Sequence, residues 1–141
     1  MSLMTAIEVG ASGLTAQRRR LEVLVSNLVN ANTTRPAGMD PYRRKDVLFT
    51  SANPEMSFDT MLGDAVQGVE VSNVVTDNSD PVKSFEPNHK HADKDGYVYY
   101  PNVDAMTEMV NVMSATRSYE ANLQAVNMAK EMQQKTLEIL R

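Results

Sequence analysis

The sequence predicts a mainly α protein in which long N- and C-terminal helices pair antiparallel as a coiled coil, with a short β-rich or irregular middle segment between them. Three observations carry this expectation. Apolar residues recur at near-seven-residue spacing over both ends of the 141-residue chain, the period of a helix packed on another helix. All six prolines and four of the six glycines lie between Arg35 and Asn102, which interrupts any long helix there. One chain with a helix at each end must fold back, so the two helices can meet. Residues 1–34 and 103–141 are thus assigned to a helical core, and residues 35–102 to the middle segment.

In the first element, Ile7, Leu14, Leu21 and Leu28 form one heptad row. Leu3, Gly10, Gln17, Leu24 and Ala31 form its neighbour. Ser2 or Thr5 can cap the start. Gly10 and Gly13 each cost about 1 kcal/mol relative to Ala, to be offset by close approach of another backbone. Asn30, Asn32, Thr33 and Thr34, followed by Pro36, supply stop signals.

In the middle segment, short apolar bursts alternate with turn residues: Val47-Leu48-Phe49, Val69 to Val75, and Tyr97 to Tyr100. Each reads as a short strand. Val69, Val71 and Asn73 are expected on one face at period two. The polar, Gly-spaced stretch within Thr50 to Asn78 suits a hairpin or loop.

The last element carries the row Ala105, Val112, Tyr119, Val126 and Leu140, interrupted by Gln133. Beside it run Met109, Thr116, Leu123 and Leu137, interrupted by Lys130. Asn102 or Asp104 can cap this helix. The residues expected to serve helix pairing and subunit packing are Ile7, Leu14, Leu21, Leu28, Met109, Val112, Tyr119, Leu123, Val126 and Leu140. A second stripe, Ala121, Ala125, Met128 and Met132, is more than a two-helix pair buries. Either the middle segment covers it in a monomer, or it marks an interface. Five of the ten methionines fall between Met106 and Met132; such a helix suits several neighbours or ordinary core filling.

Several functions are disfavoured. A net charge of −4 and a pI near 5.1 argue against a nucleic-acid binder relying on overall charge. The chain has no cysteine, which excludes disulfides and thiol catalysis. His89, His91, Asp93 and Asp95 resemble a metal loop only faintly, because zinc wants further His or Cys and a calcium loop wants a terminal Glu. They read as a solvated turn. No nucleophile motif or phosphate-binding glycine loop is present. The expectation is no catalytic residue, no metal, no cofactor and no small-molecule substrate. The Arg43-Arg44-Lys45 cluster is expected to pair with acidic residues on a neighbour. No apolar run approaches the roughly 18 residues of a membrane span, and Glu8 interrupts any cleaved signal sequence.

The segment Ser26-Asn27-Leu28-Val29-Asn30-Ala31-Asn32-Thr33-Thr34 resembles the Asn-rich signature that closes the N-terminal helix in the axial family of bacterial flagellar rod and hook proteins. Asn27, Asn30, Asn32, Thr33 and Thr34 carry that motif. Pro41 to Phe49, Ala92 to Val98, Pro101 to Asp104, Glu108 to Val110 and Arg117 to Asn122 are similar to segments of a proximal rod member of the family. Lys90 departs from it, standing where the family commonly has proline, and Ser51 to Gln67 matches no segment. The resemblance implies a structural, non-enzymatic subunit of the basal-body rod. It implies export by the flagellar export apparatus without signal cleavage. The implied partners are other flagellar rod subunits, the rod-base adaptor and copies of itself in a helical assembly.

Overall fold

A computed structural model describes residues 3–52 and 67–139. The element order is α1 (Leu3–Asn30), β1 (Lys45–Ser51), β2 (Val69–Thr76), β3 (Val82–Phe85), β4 (Tyr97–Tyr100) and α2 (Ala105–Ile139). The Ser2 cap position and Leu140 lie outside the described residues. So does much of the expected loop between Thr50 and Asn78. Thr5 lies inside α1 and is not its cap.

The helices have 28 and 35 residues, so they extend about 42 and 52 Å at roughly 1.5 Å per residue. They pack side by side. Cross-helix contacts join Gly10 to Val126, Gly13 to Asn122, and Asn27 to Glu108. The α2 number falls as the α1 number rises. A Cβ on Gly10 would lie 2.5 Å from Val126 Cγ2, and one on Gly13 would lie 3.0 Å from Asn122 Nδ2. Both glycines therefore make room for side chains of α2, rather than for the backbone expected from their cost to the helix.

Inward residues of α2 do not follow both expected rows. Glu108, Ala115 and Ala129 are buried, while Val112, Tyr119, Asn122 and Val126 are half-buried. These positions alternate in steps of four and three, a heptad seam. The row through Val112, Tyr119 and Val126 thus faces inward. The second inward row begins at Glu108, one residue before the expected Met109 row. On α1, Leu24 and Asn27 are buried, as is Ala31 just past its end. Burying Leu24 contributes about 1.5–3 kcal/mol.

β1 and β2 form an antiparallel hairpin, and β3 and β4 a second one. The first lies along α1. Ser12 Oγ accepts a hydrogen bond from the Val69 amide at 3.0 Å, and Asn27 Nδ2 donates to the Lys45 carbonyl at 2.7 Å. The helix between Ser12 and Asn27 rises about 22 Å, matching the roughly 23 Å of the seven-residue β1. Ala16 and Val23 of α1 are buried, as is Val47 of β1. A bulge breaks the pairing, because Leu48 faces Asn73 while Phe49 faces Val71. Ser72 is the extra residue. Val71 and Val74 therefore become the half-buried pair of β2, which replaces the expected Val69, Val71 and Asn73 face: an inserted residue flips every later side chain.

The second hairpin includes β3, which the short apolar bursts did not reveal. Pro81 and Pro87 bracket its four residues. Val98 is fully buried, and Phe85 meets Tyr97 edge-on at 5.4 Å between ring centroids. Asp93 organises the turn before β4. Its carboxylate accepts from the Asp95 and Tyr97 amides, each at 2.9 Å. Gly96, at φ 81°, completes the turn in the left-handed region that favours glycine.

Candidate functional site

The end of α1, the chain that follows it and the start of α2 converge on one buried polar node. Asn27 is fully buried, and its carboxamide has every hydrogen-bonding position filled. Oδ1 accepts from Tyr42 Oη at 2.8 Å and from the Lys45 amide at 3.0 Å. Nδ2 donates to the Lys45 carbonyl at 2.7 Å and to Glu108 Oε2 at 3.2 Å. The side chain thus behaves like a backbone amide, pairing both polar groups of Lys45 where β1 begins. Neither Asp nor Leu can do this, since Asp lacks donors and Leu lacks both functions. Tyr42 Oη spends its proton on Asn27, so at 3.3 Å the Ser26 hydroxyl is the donor to it.

Glu108 is 1% exposed, and Arg44 Nε donates to its Oε1 at 2.7 Å. Arg44 also reaches Asp46 Oδ2 at 3.3 Å. The hydrogen bond to Glu108, above the charge attractions, pushes the Arg44 pKa upward. Burying a carboxylate costs several kcal/mol unless partners compensate, and here Asn27 and Arg44 satisfy one oxygen each. Arg43 contacts Asp40 and Asn78. Within the chain, Arg43 and Arg44 thus have acidic partners, and Lys45 lies over the Tyr42 ring. Glu108 sits inside a helix that reads as an apolar heptad, where a carboxylate passes for a solvated residue; the sequence singled it out only as part of the family-like segment Glu108 to Val110.

The remaining motif residues have separate places. Asn30 Nδ2 donates to the Ser26 carbonyl one turn back on α1 at 2.8 Å. Its own carbonyl accepts from the Thr33 amide at 3.1 Å. Asn32 and Thr33 are exposed. Thr34 Oγ1 lies 2.8 Å from His91 Nδ1, tying the helix exit to the second hairpin's loop. His89 Nδ1 accepts from the His91 amide at 3.1 Å. Among the described residues, no group of three His, Cys, Asp or Glu is placed to hold a metal ion.

Apolar side chains also line open surfaces. Ile7, Leu14, Leu21 and Leu28 are half-buried. Met109 and Leu123 are 48% and 41% exposed. The first hairpin packs on α1, and among the described elements α2 packs only on α1. Ala121, Ala125, Met128 and Met132 are exposed, and no described strand of the middle segment packs on α2. No helix among the described residues is long and apolar enough to cross a membrane.

Comparison with known proteins places these features in one group. Residues 7–36 match the model of the flagella basal body rod protein family, and residues 94–139 match that of the flagellar basal body rod FlgEFG protein C-terminal region. A flagellar basal-body rod protein FlgC of Bacillus subtilis is 43% identical, with 99% of each chain covered. The FlgC of Salmonella typhimurium is 41% identical over 97% of each chain. That of Borreliella burgdorferi is 37% identical over 99% of each.

Proposed function

The chain belongs to the FlgC family of flagellar basal-body rod proteins, and from that membership we propose that it is a structural subunit of the rod, polymerising through its terminal helices into the torque-transmitting shaft. The near-full-length identity to FlgC relatives carries this reading. Residues 1–34 and 103–141 act as the helical core, paired antiparallel as a coiled coil, with residues 35–102 as the middle segment. The opposed order of the Gly10–Val126, Gly13–Asn122 and Asn27–Glu108 contacts supports the pairing, as does the alternating four-and-three spacing of inward residues on α2.

In an antiparallel pair, Met109 and Leu123 fall on the same side as Leu14 and Leu21, away from the first hairpin. That side supplies an apolar strip for neighbouring subunits, and the stripe from Ala121 to Met132 supplies another. A face meeting a different face on the next copy builds an open helical assembly rather than a closed dimer. Partners are other rod subunits, the rod-base adaptor and further copies of the chain. Delivery is by the flagellar export apparatus, without signal cleavage. No catalytic step is involved, since torque passes through packed contacts.

The deciding experiment replaces Met109 and Leu123 by Asp. Both are already half-exposed, so the chain still folds and is exported, yet basal bodies isolated from these cells lack complete rods and the cells do not swim. Normal rods and motility at matched expression would remove these residues from the packing surface.

A further inference from the structure

We propose that Glu108 is the register key of the helix pair: its buried carboxylate, held by Asn27 and Arg44, admits one alignment of α1 against α2 and penalises heptad-shifted ones. The proposal rests on the antiparallel pairing argued above. A heptad seam repeats every seven residues, so sliding one helix by a heptad leaves mostly apolar or small residues facing each other. The seam here is especially permissive. It carries Gly10, Gly13, Ala115 and Ala129, and a glycine accepts nearly any residue opposite it. Gly10 beside Val126 therefore allows the observed alignment without excluding others.

Glu108 supplies the exclusion. In the observed alignment its two oxygens meet Arg44 Nε at 2.7 Å and Asn27 Nδ2 at 3.2 Å. A slip of one heptad in one direction carries it past the end of α1, toward Thr34. A slip the other way carries it beside Arg20, which can pair with it. Even then the Arg44 and Asn27 groups lose their carboxylate, and Asn27 is fully buried. Buried polar groups of this kind commonly lower stability relative to apolar replacements while enforcing one alignment. The same node fixes Lys45 at the start of β1, so register passes from the helix pair to the hairpin.

The chain has no cysteine, so introduced pairs report alignment directly. Gly13→Cys is combined in turn with Asn122→Cys, Ala115→Cys or Ala129→Cys, and intramolecular cross-linking of the purified full-length chain is measured under mild oxidation. In the parent background, only the Asn122 pairing forms; no preferred cross-link there would overturn the antiparallel pairing itself. In the Asn27→Leu/Glu108→Leu background, helical circular dichroism is retained and the Ala115 or Ala129 pairing rises to at least a tenth of the native yield. Glu108→Ala, which adds no bulk, gives the same shift. Native-only cross-linking in either variant that keeps its helices overturns the register role while leaving the pairing intact. Loss of helix in both variants also overturns it, because a register key governs uniqueness and not the existence of the helices.

Discussion

Where α1 stops and α2 begins, Leu24, Asn27, Ala31, Pro101, Glu108 and Ala115 are all buried, whereas at the opposite end every residue from Lys130 to Glu138 is exposed. The first end joins three stretches of chain through a satisfied polar node. Among the described elements, the second has only the start of α1 beside it. α2 has seven more residues than α1, and in the observed alignment α1 begins opposite about residue 132. Among the described residues, the last turns of α2 have no counterpart on α1. Among the described residues, the chain thus closes one end of its helix pair and leaves the other exposed.

The largest expected effect separates these ends. Glu108→Ala strands Arg44 and Asn27 and is expected to destabilise the isolated chain by about 3 kcal/mol. Leu137→Ala, on an exposed turn, is expected to change stability by less than about 0.5 kcal/mol. Denaturant midpoints at constant slope measure both. Equal shifts would mean that the two ends are equally well built.

Gly10 provides a sharper test near the open end. Gly10→Ala gains helix propensity worth about 1 kcal/mol, yet its Cβ would meet Val126 Cγ2 at 2.5 Å. Overpacking of this kind costs about 1–3 kcal/mol, so the net change is expected to be neutral to destabilising. Adding Val126→Ala removes the clashing methyl, and the Gly10→Ala change should then be stabilising. A double-mutant cycle with no coupling would show that the two sites do not touch in solution.

Much of this architecture was legible in the sequence. Heptad spacing located both helices, and the clustered prolines and glycines located the middle. The Val112, Tyr119 and Val126 row was legible because large apolar residues declare themselves. Its companion, Glu108, Ala115, Asn122 and Ala129, was not, since small and polar residues carry little hydrophobic signal. Ala permits close approach and a paired Glu tolerates burial, so neither looks like core in isolation. Met109 and Leu123, each one residue further along, carry the stronger apolar signal but lie on the exposed side of that row. Asn27 stood out through its family motif, but its partners Tyr42, Lys45 and Glu108 are set by folding back over long sequence distances. The Ser72 bulge left no mark, because period-two alternation through Val69 and Val71 gives no warning of an extra residue. Lys130 and Gln133 were more informative: they interrupt the apolar rows where burial ends.

Hydrogen exchange gives a smaller, graded contrast. Amides from Ala16 to Asn30 and from Glu108 to Thr116 should be protected near the level of global unfolding, and those from Lys130 to Glu138 should exchange by fraying. Uniform protection along α2 in a monomeric sample would show that its last turns are held by something within the chain.

The smallest effect concerns the first turn of α2. Asp104 caps it, accepting from the Met106 and Thr107 amides at 3.2 Å each, and from the Thr107 hydroxyl. The Thr107 hydroxyl and then the Met106 amide hold its carboxyl below the ordinary aspartate value of 3.8. A carboxyl whose folded pKa is depressed contributes stability that is complete above its unfolded pKa and is lost as pH falls through the folded one. The cap should therefore persist on acidification until below the ordinary aspartate range. The Met106 and Thr107 amide resonances should report a midpoint under 3.8, and Asp104→Asn should abolish that step. The effect stays small because the cap is exposed to solvent and the Glu108 node, one turn further on, secures the helix independently. A midpoint at or above the ordinary value would mean that the carboxylate does not hold these amides in solution, and that the closed end of the pair depends on its buried node alone.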